Sequence, residues 1–171
     1  MDAFLKSVER KAYRIALLGC GQPDDALDVV QESMLKLVAK YADKPEAERK
    51  ALFYRILHNQ IRDFQRRRTV RFRWLSWFGD SNGDDDPLPQ VADPNEPGAE
   101  HRMQVDGAFA ALEVALRKLP FRQQQAFLLR CWEELSVEET AQAMGCSAGS
   151  VKTHYSRALK RLRENLGEHW S

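Results

Sequence analysis

The chain predicts an all-α fold made of two small helical domains. Apolar residues recur at three- and four-residue spacing through most of its 171 residues. No segment alternates with period two for long enough to make a strand. A capped, glycine-broken pair of short helices closes the chain. The expected layout is a three-helix N-terminal domain over residues 1–78, a flexible acidic linker over 79–99, and a four-helix domain over 100–171 that carries a helix-turn-helix.

The elements follow in order. Phe4, Val8, Ala12, Ile15 and Leu18 give helical spacing over residues 2–19, and Gly19-Cys20-Gly21 breaks it. Pro23 opens a second helix, with Asp24 and Asp25 in its first turn, where acids complement the helix dipole. Leu27, Val30, Met34, Leu37, Val38 and Tyr41 mark its inward face. After the turn at Asp43-Lys44-Pro45, a third helix is expected from Glu46 to Arg68, with Leu52, Ile56, Leu57, Ile61 and Phe64 inward. An aromatic run from Phe72 to Phe78 leads into a stretch rich in Asp, Pro, Gly and Asn, the composition of a linker without regular structure.

Helices resume near Glu100. Phe109, Leu112, Leu116 and Leu119 form a stripe, Pro120 starts the next helix, and Ala126, Leu129, Cys131 and Trp132 complete its core face. Ser136 with Glu139 three residues on is a capping box. Val137, Ala141 and Met144 share a face, Gly145 supplies the left-handed residue that ends the helix, and Ser147 caps the next one. On that last helix Val151, Tyr155, Leu159, Leu162 and Leu166 form the inward stripe.

The outward face of the last helix carries Ser150, Lys152, Thr153, His154, Ser156, Arg157, Lys160 and Arg161. Cations there attract phosphates, and arginine or short hydroxyls can reach base edges in a major groove. Such charge alone describes any solvated helix. The capped, glycine-broken pair in front of it is what points to DNA.

The formal net charge of +1 conceals segregation: +6 over residues 1–79, −7 over 80–101 and +2 over 102–171. Two basic blocks separated by an acidic one suit a protein with two nucleic-acid contacts. Cys20, Cys131 and Cys146 are far apart and lack a C-x-x-C pairing, which argues against a disulfide framework or structural zinc. Asp25, Asp28 and Glu32 share a helical face, but no Glu-x-x-His accompanies them and His58, His101, His154 and His169 are scattered. No cofactor, metal or catalytic residue is expected, since neither a nucleophile–base set nor a phosphate-cradling glycine loop is present. The absence of a long apolar run predicts no membrane insertion and a cytoplasmic protein.

The order of these features resembles the extracytoplasmic-function group of bacterial RNA polymerase sigma factors, over nearly the whole chain. The stretch Asp24-Asp25-Ala26-Leu27-Asp28-Val29-Val30-Gln31-Glu32-Ser33-Met34-Leu35-Lys36 resembles that family's helix for binding core polymerase. Phe53-Tyr54-Arg55-Ile56-Leu57-His58-Asn59-Gln60-Ile61-Arg62-Asp63-Phe64 resembles the helix that opens and reads the −10 element. The C-terminal block resembles the reader of the −35 element.

The resemblance implies an alternative sigma factor that joins RNA polymerase core and directs promoter recognition, −10 melting and transcription initiation. Asp28, Val29, Gln31, Glu32, Leu35 and Lys36 would pack on a coiled coil of the polymerase large subunit. Tyr54, expected to face outward and stack, would join Asn59, Arg62, Asp63, Arg66 and Arg67 on the melted −10 strand, with Arg68 also following phosphates. The turn from Tyr41 to Arg49 would help receive a flipped base. The acidic linker would thread toward the RNA exit path, and an anti-sigma factor would hold the protein inactive. Leu52 stands where the family commonly has Trp. The competing reading is a stand-alone helix-turn-helix regulator that binds duplex DNA and never touches polymerase; it accounts for residues 136–163 but not for the Asp-Val-Val-Gln-Glu helix.

Overall fold

The computed structural model describes residues 1–77 and 106–167, and among these every regular element is helical. The elements are α1 (Asp2–Cys20), α2 (Pro23–Tyr41), α3 (Glu46–Trp77), α4 (Asp106–Arg117), α5 (Phe121–Phe127) with a π-helical turn over Leu128–Trp132, α6 (Val137–Met144) and α7 (Ala148–Leu166). The expected three-plus-four grouping is present. The stretch read as an acidic linker lies outside the described residues.

The first three helices pack on one another as a bundle. Helix α1 buries the expected stripe of Phe4, Val8, Ala12, Ile15 and Leu18. Gly19 stays inside the helix rather than breaking it, and its bare face lets α3 approach: a Cβ there would sit 2.4 Å from Ile61 Cγ2. Gly21, at φ 84°, is the left-handed cap. Helix α3 seals the end of α1. Gln65 Nε2 donates to the Gly19 carbonyl at 2.9 Å and an Arg68 amino group to the Cys20 carbonyl at 3.1 Å. Arg68 is half-buried and caps the end of α1. Burial pushes the Cys20 thiol beneath it up to about 12.

Two expectations need correction here. Helix α3 does not stop at Arg68 but runs to Trp77, because neither proline nor glycine interrupts it before Gly79. The aromatic side chains of that extension lie outside the described residues. Helix α2 is rotated from its expected register. It buries Ala26, Val29, Val30, Ser33 and Leu37, while Leu27 and Val38 face solvent at 47% and 40% exposure. The Ser33 hydroxyl is satisfied within the helix by the Val29 carbonyl at 2.6 Å.

In the C-terminal half, α4, α5 and α6 all pack on α7. Ala115, Leu116 and Leu119 from α4 and its following turn, Ala126, Leu128 and Leu129, Ala143 and Met144, and Val151, Ala158, Leu162 and Leu166 fill the core. Ala158 takes the close-contact position on α7, with Tyr155 and Leu159 only half-buried. Cys131, expected inward, is exposed, with its sulfur 3.2 Å from the Tyr155 hydroxyl.

The two halves are joined. Their buried residues form one continuous core, with α6 lying along α3 and α4 touching α1. Among the described residues no helix is long and apolar enough to cross a membrane.

Candidate nucleic-acid interface

The helix-turn-helix is built as its sequence dictates. The Ser136 hydroxyl accepts from the Glu139 backbone N–H at 3.1 Å, and the Ser136 N–H donates to the Glu139 carboxylate at 2.7 Å. Gly145 adopts φ 61° and its N–H reaches the Ala141 carbonyl. The Ser147 hydroxyl caps α7 by accepting from the Ser150 N–H at 3.1 Å. Helix α6 settles through Thr140, Ala143 and Met144, with Val137 and Ala141 at the margin. These contacts fix α7 so that one of its faces is left exposed.

That face is available. Lys152, Thr153, Ser156, Arg157, Lys160 and Arg161 are exposed. Ser150 is half-buried, its hydroxyl 2.9 Å from that of Ser147, so it serves the cap. His154 is half-buried beside cations; burial first, then Arg122 and Arg157, hold its imidazole below the ordinary range. Exposed Arg122, in the first turn of α5, thus adjoins this face of α7. Its neighbourhood to α7 is tertiary, and spacing along the sequence carried no signal of it.

The second cationic surface lies along α3. Arg62, Arg66 and Arg67 are exposed, and Asn59 and Asp63 are half-buried beside them. Asp63 pairs with Arg66 at 4.0 Å, a contact weak enough to yield to a phosphate. Tyr54 contradicts its expected role. It is 1% exposed, packs edge-on to Phe53 at 5.2 Å, and faces the Glu133 carboxylate, so it offers no stacking platform in this form. The turn before α3 is stapled by Arg49, whose guanidinium donates to the Lys44 carbonyl at 2.9 Å and the Ala42 carbonyl at 3.5 Å.

Helix α2 presents a third surface. Asp28, Gln31, Glu32 and Leu35 are exposed, Leu35 at 70%. Lys36 is half-buried and pairs with Glu32 at 2.7 Å, which with Gln60 holds that carboxyl below its usual range. Val29 is the correction: at 7% exposure it belongs to the core and cannot meet a partner. Leu27, Leu35 and Val38 recur at i, i+8 and i+11, so the apolar part of this surface is one stripe. Among the described residues no group of three His, Cys, Asp or Glu side chains is placed to hold a metal ion.

Comparison with known proteins converges on one family. Residues 1–71 match the model for Sigma-70 region 2, and residues 109–162 the model for Sigma-70, region 4. The chain is 33% identical to the RNA polymerase sigma factor SigV of Bacillus subtilis, covering 90% of this chain and 83% of that one. It is 28% identical to the ECF RNA polymerase sigma factor SigM of Mycobacterium tuberculosis, covering 97% and 76%. These relatives are named for a role in directing transcription, not for catalysing a reaction. In fold, it is similar to the sigma factor RpoE of Bartonella quintana, solved in complex with the anti-sigma factor NepR, at TM-score 0.68 and 24% identity over 98% of this chain and 99% of that one. The chain belongs to the extracytoplasmic-function group of sigma-70 RNA polymerase sigma factors, alternative sigma factors that bind core polymerase and direct transcription initiation at promoters.

Proposed function

We propose that the three exposed surfaces divide the work of promoter recognition. The α7 face, with Lys152, Thr153, His154, Ser156, Arg157, Lys160 and Arg161, enters the major groove of the −35 element. Arg157 and Lys152 supply the longest reach, and Arg122 adds a phosphate contact from α5. The Asn59, Arg62, Asp63, Arg66 and Arg67 face of α3 follows the −10 strand. On α2, Leu27 and Leu35 bury against the coiled coil of the polymerase large subunit, while Asp28, Gln31 and Glu32 set the register. The protein works beside polymerase in the cytoplasm, performs no covalent chemistry, and is held in check by an anti-sigma factor.

One observation carries this reading: a doubly capped helix-turn-helix with an open cationic face shares a chain with a helix that keeps Leu35 in solvent. A stand-alone duplex-binding regulator has use for the first and none for the second. Run-off transcription with purified core on a promoter library is the test. Activity should require core, fall at least tenfold with Leu35→Asp, and lose −35 discrimination with Arg157→Ala. Tight duplex binding by the free chain, with no transcription when core is added, would reverse the reading in favour of the stand-alone regulator.

A further inference from the structure

The junction between the halves is built around one buried carboxylate. The π-helical turn widens the end of α5, with the Glu133 N–H reaching back to the Leu128 carbonyl at 3.1 Å. Glu134 follows at φ 55°, among the described residues the single non-glycine residue with positive φ. That is a costly conformation for a residue with a side chain. Arg130 ties the turn by donating to the Leu135 carbonyl. Together these features drive Glu133 out of the C-terminal half and into the N-terminal one, at 1% exposure.

There it meets a prepared site. Lys11 of α1 and Lys50 of α3 each bring an ammonium group to 3.9 Å from the carboxylate. The same two groups donate to adjacent carbonyls, Lys50 to that of Glu133 at 2.6 Å and Lys11 to that of Trp132 at 3.0 Å. Tyr54 faces the carboxylate from α3. One turn further along α3, His58 stacks on Phe121 at 4.9 Å and 24°.

We propose that Glu133, clamped by Lys11 and Lys50, is a latch that holds the two promoter-reading halves closed on each other in the free protein. Closure buries Tyr54 and His58 on the helix assigned above to the −10 strand. It also forbids simultaneous contact with both elements. The −10 and −35 positions are about 25 base pairs apart, roughly 85 Å of duplex. The longest helix, α3, with 32 residues, is about 48 Å long, well short of that separation. This distance argument rests on the two-element reading; the closed state itself does not. The junction is polar in a way that suits reversible closure. Tyr54 Oη, His58 Nδ1, Gln125 Nε2 and a Glu133 carboxylate oxygen are all buried without a well-formed hydrogen bond, so opening to water or to polymerase offers each of them a partner.

Small-angle scattering of the free full-length chain tests the latch without DNA or polymerase. Lys11 and Lys50 are half-exposed, so replacing them leaves the cores intact. The pair Lys11→Glu with Lys50→Glu should raise the radius of gyration by a third or more (roughly, for two modules on a flexible tether). Lys11→Arg with Lys50→Arg should leave it at the wild-type value. Adding Glu133→Lys to the double-Glu variant should close the chain again. Association with core should tighten about tenfold in the double-Glu variant, because no closed population has to be opened first. The latch is wrong if wild type, double-Glu and double-Arg chains share one radius, or if the double-Glu variant binds core no tighter than wild type. Failure of every variant, wild type included, to support transcription with core would instead remove the sigma-factor assignment of the surfaces and leave the scattering result standing.

Discussion

Gly145, at the end of α6, and Gly19, inside α1, both favour glycine, but for different reasons, and single substitutions separate them. At Gly145 a Cβ meets nothing within 4 Å, so only the left-handed backbone resists a side chain. Gly145→Ala should cost about 1 kcal/mol in chemical denaturation, and Gly145→Asn less, since Asn tolerates that conformation. At Gly19 the backbone is helical and the obstacle is Ile61. Gly19→Ala should cost roughly 1–3 kcal/mol, and Ile61→Ala, which removes the clashing Cγ2, should destabilise less in the Gly19→Ala background than it does alone. The first glycine was legible from the chain alone, because a capping serine, an apolar helix and a second capping serine surround it. The second was not: its role depends on which residue of α3 lies across from it. Tyr54 was misread for the same reason. Its position on α3 allows an outward face, but the partner that covers it comes from Glu133, seventy-nine positions away.

At the scale of whole elements, α2 shows what periodicity can and cannot fix. Its apolar residues occupy most of its circumference, so an inward face chosen by large side chains has no unique answer. The small residues decide it. Ala26 and Ser33 are fully buried because α1 and α3 come close there, and this swings Leu27 and Val38 outward. Two positions of this one helix then have opposite fates under mutation. Val29→Ala should lower the unfolding free energy by roughly 1–3 kcal/mol and leave core binding unchanged once folding is corrected for. Leu35→Asp should leave the melting curve within about 0.5 kcal/mol and weaken core association at least tenfold. Equal effects of both on stability would show that α2 sits in the register first read from its sequence. The extent of α3 was legible in principle, since neither proline nor glycine stands before Gly79. The π-helical turn was not: nothing local marks it, and the partners of Glu133 beyond it lie on α1 and α3.

At the scale of the whole molecule, closure makes the protein sensitive to pH through His58. In the closed form burial, reinforced by Arg62 and Arg122 and opposed by the neighbouring Gln125 amide, holds this imidazole down to about 4, against an ordinary 6.5. Opening restores water to it. Between those values the open form binds a proton that the closed form refuses, so acidification favours opening. The full window is worth about 3 kcal/mol, present above pH 6.5 as closed-state stability and lost as the pH falls toward 4. Glu133 works against this. Burial raises its carboxyl, with Tyr54, Lys11 and Lys50 pulling it back, so the closed form holds a proton on Glu133 where the open form has lost it. Glu133→Gln removes that opposing titration while keeping the bonds from Lys11 and Lys50 to the backbone carbonyls. In the Glu133→Gln chain the scattering radius should therefore grow as the pH is lowered from 7.5 to 5. Adding His58→Phe, which keeps a ring against Phe121 and cannot be protonated, should flatten the response. A radius that stays constant with pH in the single variant, or grows equally in the double one, would assign the junction's pH response to some group other than His58.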